Sequence, residues 1–297
     1  MKAAISTGPE THLDHLAPIC FSRNIPLIVT DLRHLDIAKA FYPMVESRYV
    51  PLSEMTLEYI AKNFNEIVTC GKFWAMELQP LVKLFFNKTI RFVFAPHGYS
   101  DKEDLLKMPV EQDIELSYEK EGNYRLWFYN EHKSHFDALA AKFFQTEKKV
   151  VLYAPTWETK ATSSSFFESI DAVIQALGEH YHLLIKLHPL LEENDPAAFH
   201  RILGKYEKEF IVDFPAIYPL LEKTDIYLGD FSSIGYDFLA YDRPLFFLKE
   251  GGKLQECGQL FRGSVEDPQK ELSDVRKQLY ENVFGQKNPR SLKRTGS

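Results

Sequence analysis

The stretch Asp225–Leu248, DIYLGDFSSIGYDFLAYDRPLFFL, decides the fold. Ile226-Tyr227-Leu228 is a short apolar run that reads as a buried strand. A Gly-Asp turn follows, and then Ser232 and Ser233 stand where a helix would begin. Serine suits that place because its hydroxyl accepts an otherwise unpaired backbone N–H. Ile234, Phe238 and Leu239 recur at helical spacing, and Pro244 stops the pattern before a second apolar run, Leu245–Leu248. Strand, loop, helix, strand, with polar groups at the strand end, is how a parallel sheet presents itself to a ligand. A helix start with free N–H groups and two hydroxyls is a seat for a phosphate. An ordinary capped helix accounts for these residues equally well.

The same alternation extends in both directions. Ala3–Ser6 reads as a strand, a helix runs from about Leu13 to Arg23, and Pro26–Thr30 is a second strand. That is the opening of a parallel α/β domain. His12 and His15 fall in or just after the first loop, where surface histidines near a helix start are the plainer reading. Glu54–Phe64 and Phe73–Phe86 look helical, and Glu66–Cys70 and Ile90–Ala95 look like strands. Past Tyr99 the pattern weakens, and Tyr124–Tyr129 reads as one more strand. The helix Ser134–Phe144 and the charged Thr146–Lys149 make the expected connection between domains. A second series then begins with the strand Val150–Ala154, an amphipathic helix carrying Phe166, Ile170, Val173 and Leu177, and the strand Leu183–Leu187. The expected division is therefore residues 1–145, residues 146–285 and a disordered basic tail, 286–297.

Four of these strands run directly into an unusual polar group: APHG, APTW, KLHP and GDFSS. In a parallel sheet such ends share one edge, where the ligand crevice lies. Two α/β domains would turn those edges toward one cleft. Lys186 and His188 are two residues apart, so on a strand they point the same way and both reach one pyrophosphate. Ser232, Ser233 and the amides behind them complete an anion cradle. Asp237, one helical turn on, stands where a carboxylate accepts from ribose hydroxyls, and Asp230 is either a turn residue or the orienter of a histidine. His97, between Pro96 and Gly98, is presented by a sharp turn and titrates in the range of a general base.

Composition sets the outer limits. The 297 residues suit two domains of ordinary size or one large one, and 45% hydrophobic with 26% charged residues is globular usage. The net charge of -7 argues against broad nucleic-acid binding but leaves room for a local basic cleft. Cys20, Cys70 and Cys257 form neither a metal-ligand spacing nor a disulfide framework, which suits a reducing cytoplasm. The first residues lack the apolar segment of a secretory signal. No metal or cofactor is expected.

The ordered set HG, APTW, KLHP and DFSS-x-x-x-D-x-x-x-x-DRP resembles the CDP-glycerol glycerophosphotransferase family of teichoic-acid synthesis, best from about Phe92 to Leu248. The resemblance implies the GT-B architecture of two facing Rossmann-like domains. It implies that His97 is the catalytic base, with His188 and Asp230 beside it in the catalytic set. It further implies that Lys186, His188, Ser232 and Ser233 hold the pyrophosphate of a CDP-linked donor, with Asp237 facing its ribose and Pro155 and Thr156 in the same donor site. The acceptor would be a glycan, a lipid-linked polymer or a polyol, reached at the cytoplasmic face of the membrane through peripheral contact. Three departures stand out: Glu158 in place of an arginine, Asn130–Asp137 in place of a Gly-x-Pro-Arg element, and Tyr99–Lys102 in place of threonine-proline. Phosphoalditol transfer is the leading expectation. A nucleotide-sugar glycosyltransferase and a non-catalytic nucleotide-binding member are the alternatives.

Overall fold

The computed structural model describes residues 1–99, 114–116, 122–157, 164–206 and 210–285. The chain forms two compact units, one holding Met1–Gly98 and the stretch ending at His132, the other Lys133–Val283. Each is an α/β unit built on a parallel sheet of six strands among the described residues.

In the first unit the strands are β1 (Lys2–Ser6), β2 (Leu27–Val29), β3 (Ser47–Tyr49), β4 (Glu66–Thr69), β5 (Arg91–Phe94) and β6 (Ile114–Leu116). Their spatial order is β3-β2-β1-β4-β5-β6, every pair parallel. The order reverses between β1 and β4, the switch point where such sheets open a crevice. Ala3, Ile5, Ile28, Phe64, Ile67 and Phe92 are central to the core under one face. Both faces of a parallel sheet are covered, so its strands read as unbroken apolar runs.

The segment Tyr124–Glu131 corrects one expectation: it is a helix, not a strand. Asn123 caps it by accepting the Leu126 N–H at 3.0 Å. Tyr124 and Phe128, four apart, are both buried, as are Arg125 and Tyr129, which is helical rather than alternating burial. Aromatic residues favour strands only where a pleated neighbour receives them. Here the receiving surface is the helix His12–Arg23, against which Phe21 meets Phe128 edge-on at 5.5 Å. Arg125 completes the seam by donating from Nε (3.0 Å) and Nη2 (2.7 Å) to Asp14 Oδ2. The Tyr42 hydroxyl donates to the other carboxylate oxygen at 3.1 Å.

In the second unit the strands are β7 (Val150–Ala154), β8 (His182–Lys186), β9 (Phe210–Ile211), β10 (Ile226–Gly229), β11 (Leu245–Phe247) and β12 (Gln259–Leu260). Their order is β12-β11-β10-β7-β8-β9, again all parallel. The helix Lys133–Ala140 lies in this unit, where Lys133 pairs with Glu222. The DRP segment is structural. Arg243 donates to the carbonyls of Glu222 and Thr224, and Asp242 turns the chain in a left-handed conformation while its carboxylate holds the buried Arg276. The basic tail 286–297 lies outside the described residues.

Removing one partner of a buried, hydrogen-bonded ion pair strands the other charge, at a cost of about 3–5 kcal/mol. Arg125→Met is therefore expected to lower the unfolding free energy by about that amount, read from urea denaturation. A change below about 1 kcal/mol would show that the Asp14 seam is dispensable.

Candidate functional site

The strand ends of the second unit are in register. Gly229 pairs with Ala154 on one side and Phe247 on the other, and Ile185 pairs with Tyr153, so Lys186 falls level with Ala154. The polar groups after β7, β8 and β10 thus leave the sheet at one level, with β7 and β10 meeting at its switch point.

Asp230 occupies that point and is 4% exposed. Its Oδ2 accepts the Thr156 N–H at 3.0 Å and the Ser165 N–H at 3.2 Å. One oxygen thereby fixes both ends of the loop after β7. Oδ1 accepts no hydrogen bond among the described residues. Burial pushes the carboxyl above its ordinary range, and the Thr156 and Ser165 donors, with Lys249 beyond them, pull it back. Asp230 therefore ties Thr156 to Ser165 through one carboxylate oxygen. The Ser165 hydroxyl lies 2.9 Å from the Tyr153 hydroxyl.

Ser232 departs from expectation. It is the N-cap of the helix Ser233–Phe238, yet its side chain makes no capping bond. Its hydroxyl lies 3.2 Å from the Tyr227 hydroxyl, which also donates to the Asp230 carbonyl at 3.2 Å. Lys186 is buried rather than snorkelling, and its Nζ donates to the Leu187 carbonyl at 3.3 Å. His188 accepts the Leu190 N–H at Nδ1 (3.2 Å), which fixes the proton of the neutral ring on Nε2. Its ring stacks on Trp157 at 5.8 Å, joining KLHP to APTW. Pro155 and Thr156 are both buried. Asp237, expected to meet a ribose, is 2% exposed and accepts the Tyr218 hydroxyl at 2.8 Å. Sequence spacing placed the lysine, histidine and serines at this edge. It had no signal for Tyr153, Ser165 and Tyr227, which look like ordinary core residues.

In the first unit His97 follows β5, exposed, on a turn completed by Gly98 at φ 102°. That φ is one that side-chain-bearing residues rarely adopt. His12, at the end of the loop after β1, brings its ring centroid to 5.0 Å from that of His97. The reading of two surface histidines is corrected, for His15 is buried, at 6% exposure, and His12 is half-buried. Burial first, then His97 and His34, lower the His12 pKa to about 3. Among the described residues no group of three or more His, Cys, Asp or Glu side chains is arranged to hold a metal ion.

Two measurements follow from this geometry. Asp230→Ala leaves two buried N–H groups unpaired and is expected to cost about 2–4 kcal/mol in thermal or urea unfolding. Asp230→Asn, whose carbonyl oxygen accepts both, should recover at least half of that. His12 is neutral when folded and takes a proton near pH 6.5 when unfolded. The unfolded state therefore binds more protons between pH 6.5 and about 3, and stability falls as pH drops through that window. His12→Phe should flatten the loss between pH 7 and 5 by about 1–2 kcal/mol. An unchanged slope would contradict the neutral imidazole.

Comparison with known proteins places this geometry. Residues 129–272 match the family model of the CDP-glycerol:poly(glycerophosphate) glycerophosphotransferases. A teichoic acid glycerol-phosphate primase of Bacillus subtilis is 32% identical over 114 residues, covering 37% of this chain and 28% of that protein. A teichoic acid glycerol-phosphate transferase of Staphylococcus aureus is 31% identical over 136 residues, covering 42% of this chain and 32% of that protein. The chain thus spans less than a third of the length of either relative. The solved wall teichoic acid polymerase TagF shares the fold with a TM-score of 0.61 at 15% identity, over 98% of this chain and 86% of that one. The Staphylococcus aureus MnaA–UDP structure shares it at 0.52 and 13% identity, over 97% and 92%. The fold is thus GT-B-like, and residues 129–272, which carry the APTW, KLHP and GDFSS strand ends, are similar to the CDP-glycerol glycerophosphotransferase family.

Proposed function

We propose that the chain transfers a phosphoalditol, of the glycerol-phosphate kind, from a CDP-activated donor to an acceptor hydroxyl of a cell-envelope polymer or glycan. The observation that carries this reading is the alignment of Thr156, Lys186, His188 and Ser232 at one level of the second sheet, on both sides of its switch point. A pyrophosphate needs several donors converging from separate loops, and a parallel sheet supplies them at its carboxyl edge.

In this reading the second unit holds the donor. Lys186, the Nε2–H of His188 and the Ser232 and Ser233 hydroxyls offset the charge of the pyrophosphate. Asp230 keeps the Pro155-Thr156 loop in place beside them. Asp237, already engaged by Tyr218, serves the ribose end with whatever capacity that bond leaves. The first unit supplies the base. His97 takes the acceptor hydroxyl proton as that oxygen attacks the alditol-bearing phosphorus. The bond from this phosphorus to the oxygen of the CMP phosphate breaks, and CMP leaves with the electron pair. The products are a phosphodiester and CMP, with the proton on His97 returned to solvent. The reaction as written needs no bound cofactor. A cytidine nucleotide donor and an envelope acceptor put it at the cytoplasmic face of the membrane, reached by peripheral contact. Among the described residues no helix is long and apolar enough to cross a membrane.

The test is turnover with CDP-glycerol, CDP-ribitol and nucleotide-sugars, following the nucleotide released. CMP release coupled to acceptor extension is expected, falling about 10²- to 10⁴-fold in His97→Ala. Release of a nucleoside diphosphate from a nucleotide-sugar would make the protein a glycosyltransferase. Undiminished transfer by His97→Ala would remove that residue from the mechanism.

A further inference from the structure

The first unit contains a contact that the transfer chemistry above leaves unused. His97 is exposed, at a bend before Gly98, and a general base works only within hydrogen-bond reach of the proton it takes. A ring on such a bend needs something to hold it. One packed neighbour is His12, 5.0 Å between ring centroids and tilted by 37°.

His12 is itself firmly placed. It begins the helix His12–Arg23, and its N–H donates to the Pro9 carbonyl at 2.9 Å, closing the loop after β1. Its ring lies so close to the backbone of Gly8 that a Cβ there would overlap Cε1 and Nδ1. Glycine at position 8 is therefore a requirement of close approach: any side chain would push the imidazole out of its place. Two loops that leave the sheet from β1 and β5, on either side of β4, thus meet through their histidines.

We infer that His12 is a positioning residue for His97, a ring seated on Gly8 that fixes the direction of the base. The inference rests on the proposed role of His97. Burial keeps His12 uncharged, so the proton that His97 acquires meets no like charge on this neighbour. The contribution is packing of a neutral ring, and a phenyl group of similar shape should reproduce most of it.

The experiment has two arms. Kinetics of CMP release should show kcat reduced about 10- to 100-fold in His12→Ala, with the donor KM within about twofold of the wild type. Gly8→Ala should follow His12→Ala, and His12→Phe should recover most of the lost kcat. The second arm reads the ring without turnover. The Cε1–H resonance of His97, identified by its loss in His97→Ala, should move in both His12→Ala and Gly8→Ala. Wild-type kcat in His12→Ala would overturn the inference, as would a fall shared equally by kcat and donor binding, or a His12→Phe protein as slow as His12→Ala. If the wild type transfers nothing from any CDP-alditol, the assigned reaction fails and the resonance alone decides. An unmoved resonance in both variants then ends the case for positioning.

Discussion

Parallel strands in register must end together, and everything at the edge of the second sheet depends on that constraint. Because Gly229 is level with Ala154 and Ile185 with Tyr153, the chain leaves β7, β8 and β10 at one height. Residues 30 or more positions apart in sequence therefore become neighbours without any interaction designed to bring them together. Asp230 exploits the position: at the switch point its carboxylate reaches the amides of both Thr156 and Ser165. A buried carboxylate is costly unless its donors are in place. The arrangement thus couples the strand register to the loop that would meet a donor's phosphates.

Much of this was legible in the sequence because period and punctuation agreed. DIYLGDFSS, VLYAPTW and LLIKLHP each combine a short apolar run with a polar group at its end, and each run proved to be a strand of one sheet. What failed was the aromatic stretch Tyr124–Tyr129. Its residues have strand propensity, but the Asn123 cap and the pairing of Arg125 with Asp14 made it a helix. Local preference yielded to a partner 111 residues away. The hydroxyls of Tyr153 and Tyr227 were invisible for a related reason. Nothing in a buried strand's spelling shows that its polar tip will support a loop.

The two histidines after β1 show the same limit from the other side. His12 carries no motif, and near a helix start it looks like any surface residue. Only the sheet order, which sets β1 and β5 around β4, brings its ring to that of His97. DRP teaches the converse. Its order and spacing carry the resemblance to the family, yet Arg243 and Asp242 spend their hydrogen bonds on carbonyl groups and on Arg276. A motif records what a fold must keep, which is often an anchor and not a reacting group.

The central claim is that the carboxyl edge of the second sheet is the seat of a cytidine-linked pyrophosphate. Thermal denaturation of the wild type and Lys186→Met with CMP, CDP-glycerol and UDP-linked sugars tests it most directly. A ligand bound only by the folded state stabilises it by about 2.7 kcal/mol at a hundred times its Kd, roughly 4 °C for a chain of this size. The account predicts such a shift with CDP-glycerol, a smaller one with CMP, and its loss in Lys186→Met. A shift given only by UDP-sugars, or a CDP-glycerol shift untouched by Lys186→Met, would contradict it.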